Sequence, residues 1–515
     1  MRSWLRSLVT IAALAAPIVA ETFTNPVIWE DLADNEVHRV GDTYYLTAST
    51  MHYSPGAPIL RSKDLVNWEY VSHSVPVLDW NSHYDLADGK NAYVEGIWAS
   101  SLRHRASNGL WYFVACVEFS KTYVYTSPDP AGPWTKAGTI DTCYYDVGLL
   151  FDDDDIPYVA YGNTAISVAQ LSADGLTETR RETVFQTPSD IGALEGARMY
   201  KRDGNYYIFL TRPPDGQFVL KSSSPWGPYE VKVLADRIAL NSVPNAGSPH
   251  QGSLVDTQNG DWYYMGFTDI YPGGRSPVLA PITWGDDGFP SLVTVNGAWG
   301  DYEYPLPRAD VPSALRTDEF AGTSLRPEWE WNHNPDVSGI EVNNGITLRT
   351  VTVTSDLYSA RNTLTHRIRG PIGTGTVHLN VANMADGDRV GLAALRDKSS
   401  WIGIEREGDV YSIVTVGGLT MNTDWTTNST GEVVERRPLG DARDVYLKMV
   451  ADIRPGGPGN VVFSYSVDGQ TFETVGASFT RYNNWEFFMG YRYGIFNYAT
   501  KALGGSARVS SFTNA

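Results

Sequence analysis

A short aromatic-led strand pattern recurs five times in the first two-thirds of this chain, and such a repeat leaves few folds open. It reads Tyr44-Tyr45-Leu46, Trp111-Tyr112-Phe113, Pro157-Tyr158-Val159, Tyr206-Tyr207-Ile208 and Trp262-Tyr263-Tyr264. Turn residues precede each copy: Gly41-Asp42, Asn108-Gly109, Asp152 to Asp155, Asp203-Gly204 and Asn259-Gly260. Flanked by β-formers, these are hairpin signals. A second marker follows three copies: Ser62 to Trp68, Ser127-Pro128 with Gly132-Pro133-Trp134, and Ser224-Pro225 with Gly227-Pro228-Tyr229. Long helical periodicity is absent. Repeats of about 40–50 residues, each with several short strands, are the signature of propeller blades. Five repeats predict a five-bladed β-propeller.

The repeat stops near Pro290. Residues Tyr302 to Ala314 carry Pro305, Pro307 and Pro312 and read as a connector. Beyond Thr317 the segments Gly345 to Val353, Thr376 to Val381, Asp444 to Met449 and Val461 to Val467 alternate in β fashion, with turns at Asp386-Gly387-Asp388 and Asp468-Gly469. The expected fold is all-β: a propeller over 21–312 followed by a β-sandwich over 313–515. Residues 1–20 read as a secretory signal, with Arg2 and Arg6, the apolar run Leu8 to Val19, and Ala20 at the cleavage point. The run is short for a membrane span. The mature protein is therefore expected to be soluble and extracellular. The sequon Asn428-Ser429-Thr430 fits export. Cys116 and Cys143 are the only cysteines. One disulfide is allowed in an oxidising compartment, and two free thiols are equally open.

The formal net charge is −19. A chain this acidic is a poor partner for nucleic acid or an anionic membrane surface. It suits a neutral polymer. Aromatic residues make up 12 % of the chain, and Trp and Tyr can stack on the apolar faces of sugar rings.

Three acidic residues sit in unusual settings. Asp34 lies in Leu32-Ala33-Asp34-Asn35-Glu36-Val37, Asp146 in the aromatic and apolar run Cys143 to Leu150, and Glu195 in Leu194-Glu195-Gly196-Ala197-Arg198. Each precedes an aromatic strand of a different blade by a similar distance. Equivalent positions of successive blades converge on the propeller axis, so the repeat brings three carboxyl groups around one central pocket.

These motifs resemble glycoside hydrolase family 43, which contains β-xylosidases, α-L-arabinofuranosidases and arabinanases. The resemblance runs through Asn25-Pro26-Val27 with Asp34 and Arg39 to Tyr45, Gly96 to Ser100, Asp146 to Phe151, Glu195 to Lys201, and Pro249 to Ser253 with Gly274-Arg275 and Leu279 to Trp284. The second domain is similar to the sandwich found in several subfamilies through Asp318-Glu319-Phe320, Trp329 to Pro335 and Arg361 to Leu364. The resemblance implies that Asp34 is the general base, Glu195 the general acid, and Asp146 the group that holds and tunes the acid. Inversion requires base and acid roughly 6.5–9.5 Å apart to admit water. A neighbouring carboxylate such as Asp146 raises the pKa of the acid by like-charge repulsion. Trp98, Tyr145 and Arg275 are expected to line the sugar pocket, with His250. The family also places a calcium on the axis at the position of His250, held directly or through water. No cofactor is required for the chemistry, and calcium would be structural.

The chain departs from the family's β-xylosidases. Ala33-Asp34-Asn35 stands for Pro-Asp-Pro, Glu195-Gly196-Ala197-Arg198 for Glu-Gly-Pro-His, and Ala48 to Gly56 replaces a Phe-rich stretch. Segments Ser49 to Leu60, Tyr93 to Ser101, Cys143 to Leu150 and Tyr271 to Pro281 are most similar to fungal arabinoxylan arabinofuranohydrolases. The implied activity is release of α-L-arabinofuranose side chains from arabinoxylan or arabinoxylo-oligosaccharides, including the O3-linked arabinose of doubly substituted xylose. The alternative is a β-xylosidase acting on xylo-oligosaccharides.

Overall fold

The computed structural model describes residues 21–457 and 459–515; the expected export signal at 1–20 lies outside the described residues. Five four-stranded antiparallel sheets follow one another along the chain. Blade I comprises Glu36–Val40, Thr43–Thr47, Gly56–Ser62 and Glu69–Val75. Blade II comprises Ser101–Arg105, Leu110–Val117, Lys121–Ser127 and Thr135–Ile140. Blade III comprises Gly148–Phe151, Pro157–Tyr161, Ala165–Leu171 and Glu178–Gln186. Blade IV comprises Glu195–Arg202, Asn205–Arg212, Gly216–Ser222 and Glu230–Asp236. Blade V comprises His250–Asp256, Trp262–Asp269, Arg275–Trp284 and Pro290–Leu292. The first strand of each blade touches the first strands of its two neighbours, so these five strands ring the axis.

The repeated aromatic motif is the second strand of every blade. Blades pack face against face, so both faces of this strand are covered and its residues run apolar without alternation. Tyr44, Phe113, Val159, Ile208 and Tyr264 are all fully buried. The hydrophobic clusters lie between consecutive blades, as where Ile59 and Val75 of blade I meet Leu102, Trp111 and Phe113 of blade II. The ring closes through the N-terminal segment. Asn25 exchanges two hydrogen bonds with the backbone of Leu279 in blade V, at 2.9 and 2.8 Å. Thr22–Phe23 then pairs with Tyr302–Glu303.

The C-terminal part is a two-layer sandwich around an apolar core that includes Trp329, Leu392, Ile404, Leu447 and Val509. One layer has nine strands and the other eight. The eight-stranded layer runs from Thr427–Pro438 at one edge to Trp329–Asn332 near the other, and its last strand is Tyr53–Ser54 of the propeller. The two parts are further joined by a buried charge cluster. Glu330 accepts hydrogen bonds from Arg367 (2.9 Å), Arg492 and His73 (3.1 Å), the last from blade I. Arg492 also lies 3.4 Å from the centre of the Tyr53 ring.

Candidate active site

The three acidic residues meet at the axis. Asp34 and Asp146 occupy the turns that lead into the inner strands of blades I and III, and Glu195 opens the inner strand of blade IV. Both aspartates have left-handed backbone, with φ of 54° and 52°. In non-glycine residues that conformation is uncommon, and a short polar side chain tolerates it best. A β-bulge lies between Glu195 and Arg198, and blade V repeats it between His250 and Ser253. Bulges re-aim side chains beside sites, and this one sets Glu195 and His250 at matching positions.

Each carboxyl has its own partners. Asp34 is 4 % exposed. It accepts hydrogen bonds from Ser49 Oγ at 2.6 Å and Arg275 Nη1 at 3.0 Å. Asp146 accepts from the backbone N–H of Gly196 at 2.9 Å. Glu195 accepts from the Tyr145 hydroxyl at 3.1 Å and from the Asn163 amide. Burial pushes the Asp146 carboxyl well above the usual range, reinforced by the charges of Glu195 and Asp34 and opposed by Arg198 and the Gly196 N–H. Burial also raises the Glu195 carboxyl; Tyr145 and Asn163 pull it down by hydrogen bonding, Asp34 pushes it up, and His250 opposes. Asp146 and Glu195 repel one another, and both carboxyls are raised. Asp146 is the more deeply enclosed of the two.

The other predicted residues gather around this centre. Arg275 is buried, and its Nε and Nη2 have no protein acceptor. Tyr145 stacks on Phe119 at 5.9 Å, and Phe119 lies 6.0 Å from Trp98. Trp98 meets Phe488 of the sandwich edge-on at 4.8 Å. Phe119 is 62 % exposed, so this aromatic rim faces solvent. A hollow of about 350 Å³ beside it is lined by Trp98, Phe119, Asn81, Glu95 and Glu118. His250 is buried, with Nδ1 3.0 Å from the Ser248 carbonyl. A carbonyl can only accept, so Nδ1 carries a proton.

Calcium takes 6–8 oxygen ligands. Among the described residues no three His, Cys, Asp or Glu side chains group closely enough to hold a metal ion. A calcium on the axis would be held by His250 directly or through water, with its remaining ligands drawn from other oxygens.

Sequence reasoning missed several contributors, Asn163 and Phe119 among them. Arg198 is fully buried. It donates to the carbonyls of Val147 at 3.0 Å and Asp34 at 2.9 Å, tying together the two aspartate-bearing turns. Ser49 orients Asp34. Phe488 reaches the rim from the second domain. Asp269 lies beside Asp34, Arg275 and His250, its carboxyl raised by burial. Gly148 is required by close approach: a Cβ there would stand 2.6 Å from the Ala197 carbonyl and 2.8 Å from Arg198 Cα. Cys116 and Cys143 form a disulfide. It ties the end of Leu110–Val117 to the segment carrying Tyr145 and Asp146.

A family model described as glycosyl hydrolases family 43 matches residues 23–290. The chain belongs to glycoside hydrolase family 43. The sandwich matches a second model over 317–514, described as a β-xylosidase C-terminal concanavalin A-like domain. A solved family 43 structure is 46 % identical, covers 96 % of this chain and 100 % of its own, and has a TM-score of 0.93. Its description is of an engineered enzyme displaying both endo-xylanase and exo-arabinofuranosidase activity. A β-xylosidase of Formosa agariphila is 29 % identical over 96 % of this chain and 90 % of its own. A non-reducing end α-L-arabinofuranosidase of Bacteroides ovatus is 29 % identical over 62 % of each chain. In this family 43 enzyme the carboxyl trio, Arg275 and the aromatic rim are contiguous.

Proposed function

We propose that this glycoside hydrolase is an exported, inverting α-L-arabinofuranosidase that removes arabinose side chains from arabinoxylan, including the O3-linked arabinose of doubly substituted xylose. The observation that carries the chemistry is the contrast between Asp34 and Glu195. Asp34 is oriented by Ser49 and Arg275 and acts as the base on water. Glu195 has its carboxyl raised by burial, which keeps a proton available for the leaving oxygen. Asp146 holds the Gly196 backbone beside the acid. The reaction proposed is single displacement by water, with no covalent intermediate, which requires the two carboxyls roughly 6.5–9.5 Å apart. Hydrolysis by this pair needs no cofactor.

Support for arabinose comes from the full-length similarity to a structure described with exo-arabinofuranosidase activity. The open hollow beside Trp98 and Phe119 leaves room for a polymer backbone outside the sugar pocket. The β-xylosidase reading keeps the same machinery and is favoured by the Formosa agariphila relative. Chromatography of the sugar released from wheat arabinoxylan, with NMR of the residual polymer, separates the two. Arabinose release, with doubly substituted xylose becoming O2-monosubstituted, supports the first. Xylose released mainly from short oligosaccharides supports the second.

A further inference from the structure

A cavity of about 420 Å³ opens on the seam between blade I, the connector and the sandwich. That size is within the ~300–1,000 Å³ common for ligand pockets. It lies beside the outermost strand of blade I, Glu69–Val75, whereas the three carboxyl groups sit at the inner strands. An occupant of one would leave the other free.

The lining contains groups that the fold leaves unused. Trp68 donates its indole N–H to the Leu65 carbonyl at 2.9 Å and packs partly on the propeller core, and the rest of its surface lines the cavity. Glu328 pairs through Oε1 with Arg316, and both residues line the cavity. His366 directs Nδ1 at the Arg367 carbonyl, 2.7 Å away, so Nδ1 carries the proton and Nε2 is an acceptor. Burial lowers the His366 pKa, which keeps the ring neutral. Arg369 spends one N–H on Glu30 at 3.2 Å, and its side chain is one-third exposed, at 33 %. A guanidinium has five N–H groups, so donors remain.

The charges that line the cavity are paired: Glu30 with Arg369, Glu328 with Arg316, Arg326 with Asp318, and Glu69 with Arg61. No net charge is left to select an ion. An aromatic surface with mixed donors and acceptors matches a neutral polyhydroxyl chain, whose hydroxyls both give and take hydrogen bonds.

We propose that this seam cavity is a second, non-catalytic binding site for a neutral pentose oligosaccharide, the chemistry of a xylan chain. The choice of pentose rests on the function proposed above. The site would hold the polymer while the axial pocket works on another part of it.

The test is titration of xylohexaose into the full-length Glu195→Ala enzyme, with and without Trp68→Ala. The expected result is two binding sites in the first protein and one in the second. The wild-type and Trp68→Ala enzymes should turn over an aryl α-L-arabinofuranoside equally. The KM of Trp68→Ala for arabinoxylan should rise about tenfold, a typical cost of removing an anchoring Trp. Glu328→Gln, which keeps the shape and removes the charge, guards against a folding defect in Trp68→Ala and should also weaken the second site. Equal stoichiometry and affinity in all these proteins would overturn the proposal. Failure of the wild-type enzyme to release pentose from the aryl substrates would instead count against the proposed function, while the titration would still decide the cavity.

Discussion

At the residue scale the site depends on side chains that hold other groups still. Arg198 serves two carbonyls with one planar fork. Lysine is a point charge and cannot span both. Arg198→Lys should lower kcat on an aryl arabinofuranoside roughly 100-fold, the scale of a 1 Å misplacement, while near-UV circular dichroism stays native. Tyr145→Phe makes a signed prediction about pH. The Tyr145 hydroxyl stabilises the charged form of Glu195, so its loss raises the acid's pKa further. The basic limb of kcat/KM should move up by about one pH unit, the worth of one hydrogen bond to a charged group. A limb that stays put or moves down removes Glu195 from the acid's role. The three acids were legible because each interrupts an apolar run just before a recognisable strand. Arg198 was not, because its work is done on the Asp34 carbonyl, 164 positions away. Ser49 was hidden for the same kind of reason: a serine beside a strand carries no sign that it faces a carboxylate.

At the element scale, the aromatic second strands were readable because burial on both faces makes them continuous and apolar. The inner strands were harder. Gly148–Phe151 has four residues, and its role follows from the turn before it rather than from its own pattern. The pairing of Tyr53–Ser54 with Trp329–Asn332 joins segments that no local signal connects. The Cys116–Cys143 bond was left open by the sequence, since a count of two cysteines does not say whether they meet. It closes a loop of 27 residues next to Tyr145 and Asp146. A cross-link of that span stabilises by about 3–4 kcal/mol in the chain-entropy model. The double variant Cys116→Ser/Cys143→Ser should lose stability of that order in denaturant melts. It should also lose activity at temperatures where it is still folded, because the loop carrying Tyr145 and Asp146 is freed.

At the scale of the whole molecule the two parts act as one enzyme. Phe488 of the sandwich touches Trp98 and lies 5.8 Å from the Arg275 guanidinium. The propeller alone, residues 21–312, should therefore have much less activity than the full chain when both are assayed on the aryl substrate. The Glu330 cluster locks the seam. Burial alone would raise the Glu330 carboxyl, but Arg367, Arg492 and His73 hold it well below the usual range. A depressed folded pKa contributes stability above the unfolded value, near 4.3, and that contribution is lost as pH falls through the folded value. Glu330→Ala leaves two guanidinium groups buried without a counter-charge and should cost about 3–5 kcal/mol at neutral pH. The penalty should shrink in urea melts at strongly acidic pH. The division of the chain into propeller and sandwich was legible from the change in repeat, but the seam was not, because its partners come from opposite ends of the sequence. The central claim is that Asp34 and Glu195 carry out a single displacement by water on an arabinofuranoside. Proton NMR of the first minutes of hydrolysis tests it most directly. The account predicts that β-L-arabinofuranose appears first and mutarotates later; α-L-arabinofuranose as the first product would contradict it.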